Sequence, residues 1–402
     1  MSSWLELLTS STRNLEPPER FFYWAGLATI ASIVKKNVFL NRFSYVLYPN
    51  IYVVLVSARS GLRKGIPISY AKSILNSLDC TRVISGQNSL PDIIRDLSTQ
   101  YTTPSGKVFS EAQTLLCAPE LDSFLLSDDK ALTTLTDLYD THQHEPEWRK
   151  GLKSGREVLK NPCINILGAS NEVLFEDLVK MKDIEGGFLA RTFIVHESKR
   201  RTNNSLMWEP QGLIPRHELA ECLKRLINLA GVFEMSEEVK HLYNNWYNEI
   251  SESSSEDRTG TLERIGDSVL KVMMLISLAH SNDLLIKDPA ILEEAVKKCE
   301  ESLVGTRKVA MGQGHSEVSP LVSQVLKILI DHPDHEVQRV YLMRKLNCEP
   351  IQLDRVIDTL VQREAIDEPF RKRSANGRPE KGIWYRMPKE IYERYQKIKG
   401  EI

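Results

Sequence analysis

IYVVLVSARSGLRKGIPISYAKSIL, residues 51–75, decides the fold. Ile51 to Val56 is a β-branched, apolar run, the pattern of a strand buried on both faces. Small and basic residues follow from Ser57 to Lys64, and Pro67 stands where the first turn of a helix begins. The order strand, Gly-containing turn with a lysine, and helix is the setting of a phosphate-binding loop. Its chemistry needs backbone N–H groups aimed at anionic oxygens, the positive end of a helix, and a lysine for the terminal phosphates. A surface turn with two basic residues satisfies the same stretch, so both readings stand at this point. Aligned on Lys64, the pattern G-x-x-x-x-G-K-[ST] reads Ala58-Arg59-Ser60-Gly61-Leu62-Arg63-Lys64-Gly65. Ala58 replaces the first glycine, Arg63 the second, and Gly65 the hydroxyl residue that normally holds magnesium. The candidate nucleotide contacts are Ser60, Gly61, Arg63, Lys64 and Gly65.

At 402 residues the chain has room for two or three domains. Hydrophobic residues at 42% and charged residues at 26% are those of a globular protein and exclude global disorder. The formal net charge of −2 requires any nucleic-acid contact to come from a local basic patch. Cysteines 80, 117, 163, 222, 299 and 348 are far apart with no C-x-x-C, which reads as reduced core fillers in a cytoplasmic protein. The apolar stretch 21–34 is short and follows Glu19 and Arg20, so neither a signal peptide nor a membrane span is expected.

Residues 1–48 read as a leader of two helices and a hairpin, packed beside the nucleotide domain and carrying no chemistry. Domain 49–205 continues with a strand at 82–84, a helix at 89–100 opened by a Ser cap, and a strand at 113–118. That strand runs into Glu120, where an acid holds magnesium or polarises an attacking water, or else caps a helix at 123–126. His142 and His144 near Asp140 and Glu145 share no helical face and lack a third ligand, so they read as a solvated loop and no metal is assigned. The strand 161–172 ends in Ser170 and Asn171, candidates to sense a γ-phosphate or to cap a helix. Gly186-Gly187 then lead to Arg191 before the strand 192–195. That arginine reaches a neighbour's phosphates or is an ordinary surface residue salt-bridged to an acid. Lys199-Arg200-Arg201 closes the domain.

Five strings occur in order: LYPNIYVVLVSARSGLRKG, LLCAPELDSFL, LTDLYD, NPCINILGASNEVLFEDL and GGFLARTFIV. Together they resemble the ATPase core of phage- and plasmid-encoded replication proteins, the primase-associated RecA/AAA-type helicases. The resemblance continues into 238–246 and RIGDSVLKVMMLISLA (264–279), and covers about residues 45–310. It implies an α/β P-loop core followed by a helical lid, with ATP and magnesium as cofactors and DNA and further copies of the chain as partners. By position it implies Lys64 on the phosphates, Glu120 as the acid, Asn171 as sensor, Arg191 as a finger acting in trans, and Arg264 as a second sensor from the lid. The family commonly keeps a fuller Gly/Lys/Ser-Thr loop, from which Ala58, Arg63 and Gly65 depart.

Residues 206–312 read as that lid, with helices at 216–230, 236–251, 262–280 and 289–311 and a polar break at 251–260. Residues 317–402 carry three helices, 320–331, 336–346 and 351–364, then strand, basic Gly-bearing turn and strand, which is a winged-helix pattern. The turn and its flanks carry Arg371, Lys372, Arg373, Arg378, Lys381, Arg386 and Lys389 against Glu380. Such a wing suits phosphate contacts that need charge but no particular sequence, and Arg371, Lys372, Arg373, Arg378 and Lys381 are the candidate DNA contacts. The third helix offers Gln352, Arg355 and Gln362 to a groove, while Asp354 and Asp358 would repel phosphates. A protein contact or a solvated hairpin is the other reading of this domain. The expected function is an oligomeric ATP-dependent DNA motor, helicase-like, in replication of a phage or other mobile element. The alternative is a nucleotide-binding or ATP-independent DNA-binding adaptor, a helicase loader or initiator, which the altered loop favours.

Overall fold

The computed structural model describes residues 3–57, 60–86, 89–121, 125, 130–140, 147–152, 155–172, 175, 187–203, 213–253, 261–310, 319–346, 348–362, 365–372, 382–389 and 391–392. The chain divides into two units, Met1–Ala310 and Met311–Ile402. The first opens with α1 (Trp4–Ser11), α2 (Glu19–Val34) and the hairpin β1 (Val38–Asn41) and β2 (Val46–Leu47). A capping box starts α1: the Ser3 hydroxyl accepts from the Glu6 amide and the Glu6 carboxylate accepts from the Ser3 amide. Then come β3 (Tyr52–Ser57), α3 (Gly65–Leu78), β4 (Arg82–Ser85), α4 (Leu90–Leu97), β5 (Tyr101–Thr102), β6 (Val108–Phe109), β7 (Gln113–Ala118) and α5 (Ala131–Tyr139). The hairpin β8 (Glu147–Leu152) and β9 (Gly155–Lys160), β10 (Cys163–Asn171) and β11 (Thr192–His196) complete the α/β part. The unit ends with α6 (Arg216–Leu223), β12 (Gly231–Met235), α7 (Glu237–Ser253), α8 (Ile265–His280), β13 (Leu285–Ile286) and α9 (Pro289–Ala310).

Five of these strands form one parallel sheet in the order β11-β3-β10-β7-β4. Every residue of β3 is buried, as a β-branched run without polar alternation requires. Side chains alternate between the faces. Val53, Leu55, Leu115, Cys117, Leu167 and Val195 join α2, α3 and α8 on one face. Tyr52, Val54, Val56, Leu116, Ile164 and Ile166 join α4 and α5 on the other.

The leader is core. Residues 21–34 of α2 are all buried, because a helix apolar on every side has no face to offer water. It lies on the sheet with α1, α3 and α8 around it. Gly26 admits α1, since a Cβ there would meet Leu5 Cδ2 at 2.7 Å.

The region expected to be all helical contains two strands. Residues 231–235 form β12, which pairs in parallel with β1 and β13, giving a second sheet in the order β13-β12-β1-β2. Its partner strand lies far back in the chain, so only tertiary pairing separates it from the flanking helices. Gly231 takes φ +149, and a Cβ there would meet Leu284 at 2.7 Å. Leader, core and expected lid therefore belong to one unit. Helix α9 packs directly on β11 through Gly305, where a Cβ would stand 2.5 Å from the Ile194 carbonyl oxygen.

The second unit contains α10 (Ser319–Asp331), β14 (Glu336–Gln338), α11 (Arg339–Leu346), α12 (Pro350–Gln362) and β15 (Trp384–Arg386). It has its own core, with Val325, Leu329, Val337, Leu342, Leu353, Val356 and Tyr385 buried together. Residues 336–338, expected to begin a helix, are extended instead and pair antiparallel with β15, Val337 opposite Tyr385. Before the basic turn, the described residues contribute an isolated antiparallel bridge between Phe370 and Trp384.

Candidate functional site

In parallel sheets, ligands bind beyond the carboxyl ends of strands whose connections diverge. In the strand order, β4 lies towards one end of the sheet from β3, and β11 lies towards the other end from β10. Ser57 and Asn171, which end β3 and β10, are register partners. His196 ends β11 opposite Val56. Glu120 lies exposed two residues past the end of β7. Lys64 is the N-cap residue of α3, and its Nζ is 2.7 Å from Ser57 Oγ and 3.4 Å from the Ser57 carbonyl oxygen. Thus the lysine, the amide and the acid named from sequence share the C-terminal edge of the sheet. Gly65 is exposed with open space where a Cβ would go, and Gly61 lies in a short 3-10 turn. Ala58, Arg59 and the side chain of Ser60 lie outside the described residues.

Arg63 adopts φ +49, a left-handed conformation that glycine takes freely and other residues take at a cost. This is the position of the second glycine in the loop pattern. An ion pair with Glu16 holds it there. Glu16 is 1% exposed, and its other oxygen accepts from Arg200 Nη1 at 3.0 Å. The Arg200 guanidinium covers Gly61, where a Cβ would stand 2.7 Å from Nη2. Two arginines therefore share one buried carboxylate beside the loop. Sequence reasoning missed Glu16, because a single acid before Pro17-Pro18 carries no local signal of a contact with residues 63 and 200. Behind the edge, Glu172 Oε1 is 3.1 Å from His196 Nε2, at an angle that makes no hydrogen bond.

The two remaining arginines are elsewhere. Arg191 immediately precedes Thr192, which pairs with Tyr52 at the start of β3. The length of β3 separates it from Lys64, about 17 Å at ~3.3 Å per residue. Arg191 Nε donates to Asp140 Oδ2 at 2.8 Å, Nη2 pairs with the same oxygen, and Nη1 donates to the Gly187 carbonyl at 2.8 Å. Arg264 Nη1 lies 3.3 Å from Asp140 Oδ1. Arg264, expected as a second sensor from the lid, stands at the opposite edge of the sheet from Lys64, because α8 begins beside Asp140.

Around this carboxylate is a cleft of about 510 Å³, lined by residues that include Arg42, Tyr45, Asp140, Arg191, Arg264 and Lys271. Burial alone would raise the Asp140 carboxyl, but the hydrogen bond and charge of Arg191, with Arg264, hold it below its ordinary value. Lys271, on α8, is buried. Its Nζ donates to the Asn50 carbonyl at 3.1 Å and to Asn50 Oδ1 at 2.8 Å, and lies 3.8 Å from the Tyr139 ring centroid. Burial pushes its ammonium down to about 7, against the opposing pull of Asp140 and Asp267. Sequence reasoning missed this residue too, although a lone lysine in the apolar run IGDSVLKVMMLISLA is a visible signal.

In the second unit, Arg371 is exposed. Lys372 and Arg386 pair with Glu336 at 2.9 and 2.6 Å and lie over the rings of Trp384 and Phe370, so their charges are partly spent within the unit. Asp354, expected to repel phosphates, is gripped on both oxygens by Arg339. Arg373, Arg378 and Lys381, with the side chains of Gln352, Arg355 and Gln362, lie outside the described residues, as do His142 and His144. Among the described residues no group of His, Cys, Asp or Glu could hold a metal ion, and no helix is long and apolar enough to cross a membrane.

Comparison with known proteins found no family model and no curated protein that matches the chain.

Proposed function

We propose that the chain binds a nucleoside triphosphate at the C-terminal edge of its parallel sheet and uses it to act on DNA. It would be an oligomeric, helicase-like motor in replication of a phage or other mobile element, built on a RecA/AAA-like core with a C-terminal winged helix. The observation that carries this reading is the strand order. It sets the strand before Lys64 beside the strand ending in Asn171, and that one beside the strand leading to Glu120. A cation for the phosphates, an amide for the terminal phosphate and an acid for magnesium or water are what phosphoryl transfer requires along one edge. Arg191 stands too far from Lys64 to serve its own site. As a finger it would act on the nucleotide of a neighbouring copy, after giving up Asp140. The buried free cysteines 80, 117, 163 and 299 suit a cytoplasmic protein.

The adaptor reading, a loader or initiator that binds nucleotide or DNA without rapid hydrolysis, is favoured by Gly65, which offers no hydroxyl to magnesium. Calorimetric titration with ATP, with and without magnesium, and turnover with and without single-stranded DNA separate the two. Binding with DNA-stimulated turnover supports the motor; binding without turnover selects the adaptor. Absence of binding at millimolar ATP refutes both nucleotide readings.

A further inference from the structure

The cleft at the N-terminal edge of the sheet is bordered by the buried ammonium of Lys271. Among the described residues the Lys271 Nζ meets the neutral oxygens of Asn50 and the face of Tyr139. Among the described residues no carboxylate lies within ion-pair distance of it; Asp140, the nearest in influence, is engaged by Arg191 and Arg264. A buried charge is normally paired, because desolvation costs more than neutral hydrogen bonds return. Here the ammonium borders open space large enough for a phosphorylated small molecule. Arg191 from the turn before β11, Arg264 at the start of α8 and Lys271 two turns further along α8 all line this cleft, and the two arginines share the Asp140 carboxylate. The other charged groups of the lining are Arg42, Glu263 and Asp267, and Asp267 accepts from Tyr45 Oη at 2.7 Å. Two guanidinium forks and an ammonium suit an anion with several acceptor oxygens better than a planar carboxylate.

We propose that this cleft is a phosphate-binding site, in which Lys271, Arg191 and Arg264 hold the anion and Asp140 keeps the two arginines poised while it is empty. The site is separate from the same chain's loop at Lys64. The phosphate has two chemical sources: a free phosphorylated ligand, or the terminal phosphates of a nucleotide carried by a second copy of the chain.

The test is calorimetric titration of the full chain with inorganic pyrophosphate and with ATP. It is run on the wild type and on Lys271→Met, Arg264→Gln and Lys64→Ala, at two protein concentrations. The side chain of Arg264 is 40% exposed, so Arg264→Gln decides the matter if Lys271→Met does not fold. Both cleft variants are expected to weaken pyrophosphate binding at least tenfold. Retention of that binding in Lys64→Ala assigns the site to a free ligand. Loss in Lys64→Ala as well, with affinity that falls on dilution, assigns it to the nucleotide of a neighbouring copy. Absence of pyrophosphate binding by the wild type at millimolar concentration overturns the proposal. So does affinity within twofold of wild type in both cleft variants, whatever the loop does.

Discussion

Replacing Lys271 by Met removes a buried ammonium and keeps the volume of its stem, so its effect is read in the pH dependence of stability. In the folded chain burial pushes the ammonium down to about 7, while the ordinary value is 10.5. Above pH 10.5 the group is neutral in both states and contributes nothing. Between 7 and 10.5 the unfolded chain binds one more proton than the folded chain, which favours unfolding. Below 7 both states hold the proton and the penalty is full. The lysine therefore makes stability rise with pH from about 7, with a limiting slope of about 1.4 kcal/mol per pH unit and half that slope at pH 7 itself. Summed from pH 7 to 9, the effect is about 2 kcal/mol. Asp140 is held below its ordinary value and stays charged across this range. Burial pushes the Cys163 thiol and the Tyr139 phenol up, and the Cys163 shift pulls the stability of both proteins the other way towards pH 9. The difference between wild type and Lys271→Met isolates the lysine. Urea unfolding of the two at pH 7, 8 and 9 measures it: the variant is expected to be the more stable at pH 7, and the gap to close by about 2 kcal/mol at pH 9. Parallel pH profiles, within about 0.5 kcal/mol, would refute a desolvated ammonium at this position.

Gly305→Ala drives a Cβ to 2.5 Å from a backbone oxygen of β11, so helix and strand must part, and urea unfolding is expected to show a loss of about 1–3 kcal/mol. Arg63→Gly relieves a left-handed arginine, worth about 1–2 kcal/mol, and gives up an ion pair of similar size with Glu16. Its melting temperature is expected within a few degrees of wild type, while removal of a cation from the loop weakens ATP binding in the same titration that tests the site. DNA binding by the second unit is expected to fall with salt, with a log–log slope of about −0.9 per duplex phosphate contact. Arg371→Ala should flatten that slope by about one contact, as read by fluorescence anisotropy, whereas Lys372→Ala should change it less because Lys372 already pairs with Glu336.

What could be read along the chain was whatever the local pattern states. The β-branched run 51–56, the turn with Lys64 and the helix after Gly65 follow from nearest-neighbour chemistry, as does the Ser89 cap, whose side chain accepts from the Asp92 amide. The strands ending in Ala118, Asn171 and His196 were equally legible, because buried parallel strands announce themselves as short apolar runs. The sequence could not say that α2 is the centre of a face of the sheet, or that β12 pairs with β1. Nor could it say that Glu336 begins a strand and not a helix. Each of these depends on a partner far along the chain, and a pairing between distant segments leaves no period in either one.

The same division runs through the candidate sites. Residue type and spacing alone determined that Lys64, Asn171 and an acid after β7 come to the ends of strands. Only the tertiary structure decided which ends share an edge, since a parallel sheet sends every strand's carboxyl end one way. It therefore set Arg191 and Arg264 about a strand's length from Lys64, against one Asp140. It also decided that Glu16 holds two arginines at the loop and that Lys271 is a buried cation facing a cleft. Charge pairing and desolvation act through space over a few ångströms, and the chain brings those groups within that range only when it has folded.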